Sequence, residues 1–138
     1  MSTQEAIQLW YEGFWASRDG HFDEAREKLR AAHRGLIAAE DYHQGAWVAL
    51  DLIMTYLQRQ DLKGARDEFA TVDEGLIEKT WAYHTIQCLF KAFDATTNDL
   101  HLQMLREVFF DMQLYISNAA LQHLPEYRLM FWRVMGGT

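Results

Sequence analysis

Apolar residues recur along the chain at helical spacing, on a frame that itself repeats. Phe22, Ala25, Leu29, Ala32 and Leu36 stand at i, i+3, i+7, i+10 and i+14, the stripe of an amphipathic helix. A step of 40 residues carries the stripe onto Leu62, Ala65, Phe69, Val72 and Leu76. A second step carries it onto Leu102, Leu105, Phe109, Met112 and Ile116. Charged neighbours move with it: Arg26-Glu27 becomes Arg66-Asp67 and then Arg106-Glu107. A register that survives two steps without a gap predicts three copies of one unit.

Each stripe has an apolar helical segment upstream, at roughly residues 3–18, 42–58 and 82–97. Ser2-x-x-Glu5 fits a capping box at the first of these. Asp19-Gly20, Gln60-Asp61 and Asn98-Asp99 separate first from second segments, and Asp and Asn suit turns and helix starts by bonding local backbone. The unit is therefore a helical hairpin, used over about 3–40, 41–80 and 81–119. Pro125 suits the first turn of a seventh helix that Gly136-Gly137 ends, and a capping segment at about 122–135 would cover the last hairpin. The fold class predicted is all-α, in a single domain.

The first hairpin reads Gly13-x6-Gly20-x-Phe22-x2-Ala25-x3-Leu29-x2-Ala32. This resembles the tetratricopeptide repeat. The resemblance implies small residues at Gly13 and Ala25 where paired helices approach, a turn at Gly20, and inter-hairpin contacts at Phe22, Leu29 and Ala32. It also implies a right-handed superhelix of antiparallel hairpins. The second copy departs at Ile53 and Gln60, the third at Leu105, and the 40-residue unit is longer than the familiar 34. Architecture is what this likeness speaks to, because such repeats are scaffolds for diverse partners.

Composition narrows the function. The 138 residues are 49% hydrophobic, with one Pro and one Cys, which favours helices over a turn-rich β fold and leaves no internal disulfide. Twenty acidic residues against 13 basic give a net charge of −7, the wrong sign for neutralising nucleic-acid phosphates or docking on anionic lipid. No apolar run approaches the ~20 residues of a membrane span, and the start of the chain lacks a leader pattern, so a cytoplasmic location is expected.

Motifs for chemistry are sparse. Neither Gly-x4-Gly-Lys-Ser/Thr nor Gly-x-Gly-x-x-Gly occurs, and no His-x3-His pair stands among the six histidines. His43 and His84 nearly correspond across repeats, as polar residues near helix starts. Cys88, beside Leu89 and Phe90, reads as a small buried hydrophobe. The expectation is a non-catalytic chain with neither metal nor cofactor.

The aromatic rows carry the functional expectation. Trp10, Leu50 and Phe90 are equivalent at the 40-residue step, as are Phe14, Met54 and Asp94. Ile7, Trp47 and Gln87 form another row, and Arg18, Gln58 and Asn98 stand towards the helix ends. In the resembled family these first-helix places line the concave face, which implies an apolar groove for an extended peptide or a partner helix. The leading expectation is a protein-interaction scaffold or regulatory module. A homodimer joined through Phe131, Trp132 and Met135 of the last helix is a second reading, since six of the seven residues from Leu129 to Met135 are apolar and they cannot all face the last hairpin. A small-ligand sensor using the groove as a pocket is the third.

Overall fold

A computed structural model of the chain describes residues 1–77, 81–96, 98–104, 106–107 and 110–111. It holds α1 (Thr3–Arg18), α2 (Phe22–Ala38), α3 (Tyr42–Leu57), α4 (Leu62–Phe69), α5 (Glu74–Ile77) and α6 (Trp81–Ala95). Helical backbone follows at 99–104 and at 106, 107, 110 and 111, and no strand occurs among the described residues. The expected capping segment, with Phe131, Trp132 and Met135, lies outside the described residues, as do Leu105, Phe109, Met112 and Ile116 of the third stripe.

The turns repeat more finely than the stripes do. Gly20, Glu40 and Gln60 each adopt a positive φ, of 82°, 60° and 58°. In each turn the next amide bonds back across the helix end: His21 to Ala16, Asp41 to Leu36 and Asp61 to Tyr56, at 2.8, 2.9 and 3.0 Å. The left-handed residue donates to Ser17, Ile37 and Leu57 in turn, which completes a Schellman closure at every one of the three corners. Gln60, a departure from the glycine pattern, thus takes the glycine's conformation. Asp41 and Asp61 then cap the next helices by accepting from the Gln44 and Gly64 amides, and Ser2 and Glu5 form the expected capping box.

These tight corners stack consecutive helices, α1 on α2, α2 on α3, α3 on α4, with α6 also against α3. Helix α3 is enclosed nearly all round, with most of its residues buried. Its Val48 and Leu52 join the core of α1 and α2, around Trp10, Phe14, Leu29 and Leu36. Its Ala49, Leu50, Ile53 and Met54 join Ala65, Phe69, Tyr83, Ile86 and Phe90. Trp47 is half-buried and touches both clusters. Gly13 permits a close approach of α1 to α2, since a Cβ there would stand 2.8 Å from Leu29 Cγ. Ala25 and Ala65 are fully buried at the small-residue places.

The recurring arginine ties one unit to the next. Arg26 donates to the Thr55 hydroxyl at 3.0 Å and the Thr55 carbonyl at 3.2 Å, with its guanidinium 3.8 Å above the Tyr56 ring. Arg66 pairs with Asp94. Both reach the last turn of the next first helix, where Arg26 meets the Thr55 carbonyl at the negative end of α3.

One expectation fails in the second unit. The stripe Leu62 to Leu76 predicts a helix of full length, yet α4 stops at Phe69. Thr71 turns its hydroxyl onto the Glu68 carbonyl at 2.7 Å, and Asp73 accepts from the Gly75 amide at 2.7 Å. Thr and Asp offer the backbone these local alternatives, and Thr71-Val72 is a β-branched pair. Val72 and Leu76 still pack against the core from the link and from the short α5.

Candidate functional site

Along the expected groove, side chains are packed inward. Trp10, Phe14, Leu50, Met54 and Phe90 are buried; Ile7, Arg18, Trp47, Gln58 and Gln87 are half-buried; Asp94 is exposed. The sequence reading had these rows facing an open channel, whereas Trp10, Phe14, Leu50, Met54 and Phe90 stand in the core. Trp10 donates its indole N–H to Asp51, buried on α3, and its ring lies 6.4 Å from that of Trp47. Phe90 lies 5.6 Å from Phe69 and 6.4 Å from Phe93. Arg18 stands between Phe14 and Phe110, 5.0 and 4.7 Å from the ring centres, and Leu102 and Phe110 pack on the core beside Met54. The physical reason is helix packing: the first helices meet one another, as at Trp10 and Trp47, and side chains of the second helices and of the later segment fill in beside them. Met54 and Gln58 do border a polar hollow shared with Gln103, Arg106 and Phe110.

The better-formed cavity lies between α2, α3 and the broken α4. It measures about 650 Å³. Ile37, Ala49, Leu52, Ile53, Phe69, Val72 and Leu76 make its apolar walls. Arg30, His33 and Arg34 of α2 stand along one side, with Glu68, Thr71 and Asp73 across from them. The cavity sits where α4 ends, so the failure of that helix to continue is what leaves the space.

Its polar groups hold one another in place. Arg30 donates to Glu68 at 2.8 and 2.5 Å and to the Tyr56 hydroxyl at 2.9 Å, while Tyr56 donates to the same Glu68 oxygen at 3.0 Å. Hydrogen bonding to Glu68 raises the Arg30 pKa, and burial first, then Glu68, raises that of Tyr56. His33 Nε2 lies 2.7 Å from the Tyr83 hydroxyl of α6. Burial pulls the His33 pKa below its ordinary 6.5, Arg34 acts in the same direction, and Glu68 opposes them. Burial also drives the Tyr83 phenol well above its usual range. At neutral pH His33 is therefore an uncharged partner of Tyr83, between the two guanidinium groups of its own helix.

Other sequence candidates do not gather into a site. Cys88 is exposed, which corrects the reading of a buried hydrophobe: Tyr83, Ile86, Phe90 and Phe93 take the inward face of α6 and leave Cys88 outward. His84, also exposed, sits 3.7 Å from its sulfur. His43 packs on Trp47, with ring centres 6.2 Å apart. Among the described residues no three His, Cys, Asp or Glu side chains are placed to share a metal ion, and no helix is long and apolar enough to cross a membrane.

Sequence reasoning missed the cavity residues Arg30, His33, Arg34, Glu68 and Asp73. Two signals bore on them: Arg30 and Arg34 stand one turn apart on α2, and Thr71 to Gly75 is a run rich in turn formers. The repeat register pointed instead to an unbroken helix from Leu62 to Leu76. The chain matches no protein-family model, no curated protein and no solved structure.

Proposed function

We propose that the chain is a non-catalytic interaction module of tetratricopeptide-like hairpins, wound in a right-handed superhelix, that takes a peptide or partner helix by an apolar anchor. The cavity between α2, α3 and α4 carries this reading. At about 650 Å³ it falls within the ~300–1,000 Å³ range of ligand pockets, with apolar walls and a few polar groups at one side. Arg30, Glu68 and His33 are engaged in building the walls, Arg30 with Glu68 and Tyr56, His33 with Tyr83, which suits holding a side chain better than transferring a proton. Anchoring by one or two buried side chains is how small interfaces concentrate their binding energy.

The test uses a random-peptide display library selected on the full chain. Recovered peptides are measured against wild type and Ala38→Trp; Ala38 is exposed at the cavity's edge, so the indole can plug the opening without disturbing the core. We expect the plug to weaken binding by about tenfold or more, roughly 1.4 kcal/mol, with the helical dichroism unchanged. Peptides that bind both forms alike would place the site elsewhere and overturn the reading.

A further inference from the structure

An anchor pocket selects its partner by what surrounds the anchor, and here the surroundings are charged unevenly. Arg26, Arg30 and Arg34 stand at four-residue intervals, so their guanidinium groups share one face of α2. Arg26 is spent on Thr55 and the Tyr56 ring, and Arg30 on Glu68 and Tyr56. Arg34, exposed at the cavity, has no ion pair among the described residues.

The carboxylates opposite are already engaged, Glu68 by Arg30 and Tyr56, and Asp73 by the Gly75 amide. His33, which faces Tyr83 on α6, Glu68 on α4 and Arg34 on its own helix, contributes no charge while it stays neutral. Arg30 is answered by Glu68 and Arg26 by Asp23, so an anion beside the cavity would find its partner in Arg34.

From this juxtaposition of apolar walls and a guanidinium with no ion pair among the described residues, we infer that the partner is an acidic amphipathic peptide segment. Its aromatic or aliphatic anchor fills the cavity, and an Asp or Glu next to that anchor pairs with Arg34. The inference rests on the anchor reading above and adds the charge of the partner to it. Because Arg34 is exposed, the pair is screened, and its removal costs about two- to fivefold in affinity at low salt.

The experiment takes the peptides whose binding is lost in Ala38→Trp. Each is synthesised with its residues flanking the anchor as Glu, Gln or Lys, and dissociation constants are read by fluorescence polarisation on wild type, Arg34→Gln and Arg34→Glu. On wild type the expected order of affinity is Glu, then Gln, then Lys. Arg34→Gln compresses that order and Arg34→Glu reverses it, each with wild-type dichroism, and added salt weakens the Glu series most. Equal affinities across the series in wild type would overturn the charge inference while leaving the anchor reading intact. Failure to recover any cavity-dependent peptide would overturn both. As a separate arm, 2-naphthylacetate is titrated alone. If it binds in a manner lost in Ala38→Trp while no selected peptide does, the cavity is a small-molecule site and the peptide inference falls.

Discussion

Gly13→Ala sets two effects of similar size against each other, and the structure says which prevails. Replacing a mid-helix glycine by alanine favours the helix by about 0.8–1.0 kcal/mol, so a site with free space would be stabilised. At Gly13 the added Cβ would lie 2.8 Å from Leu29 Cγ, 2.9 Å from Leu29 Cδ2 and 3.3 Å from the Ala25 carbonyl oxygen. Carbon atoms in contact prefer about 3.5–4.0 Å, so the Leu29 contacts are short by roughly 0.7 Å or more. Leu29 and Ala25 are both fully buried, which leaves neither a direction in which to yield. Overpacking of this kind costs about 1–3 kcal/mol. The balance is a net loss of about 1 kcal/mol, or a fall of roughly 3–5 °C in Tm for a chain of this size. Urea titration followed by circular dichroism, with slopes checked for constancy, measures it. Leu29→Ala provides the control, because it removes the atoms that clash. In that background Gly13→Ala should regain its propensity and stabilise by up to about 1 kcal/mol, a reversal of sign. A stabilising Gly13→Ala in the wild-type chain, or the same effect in both backgrounds, would refute the close approach of α1 and α2.

Three further outcomes follow from the same structure. Glu40→Gly and Gln60→Gly should each raise stability by about 0.5–1 kcal/mol, because an L-residue pays about 1–2 kcal/mol to hold a positive φ; a loss on urea titration would deny the left-handed turns. His33 is neutral above pH 6.5 in both folded and unfolded chains, and below it the unfolded chain takes up the proton first. Stability should therefore fall as pH drops from 6.5 toward the depressed folded value and then level off, with a shallower slope in His33→Gln; equal slopes would remove His33 as the cause. Trp10→Ala combined with Met54→Ala, which would spare the fold if both lined an open groove, should instead cost more than about 5 kcal/mol, read as loss of the cooperative thermal transition.

How much of this was legible in the sequence differs from one level to the next. Period and spacing determined the helices, since an amphipathic stripe and local caps act within a few residues: α1, α2, α3 and α6 fall close to their expected ranges, and Ser2 and Glu5 cap as their spacing implies. The small residues Gly13 and Ala25 were legible through the resemblance to the tetratricopeptide repeat, and Ala65 as the 40-residue equivalent of Ala25. Which way the aromatic rows face was a different matter. Periodicity gives a helix an apolar side but not the number of neighbours on it, and α3, flanked by α2, α4 and α6, buries residues that a two-sided helix would leave open. The end of α4 also lay beyond the pattern, because Val72 and Leu76 stay apolar whether they are reached by a helix or by a link. Only the tertiary structure turned that break into a cavity and brought Arg30 to Glu68 and His33 to Tyr83, 38 and 50 residues apart. Side chains so far apart along the chain meet through the packing of three helices, and no local spacing encodes it.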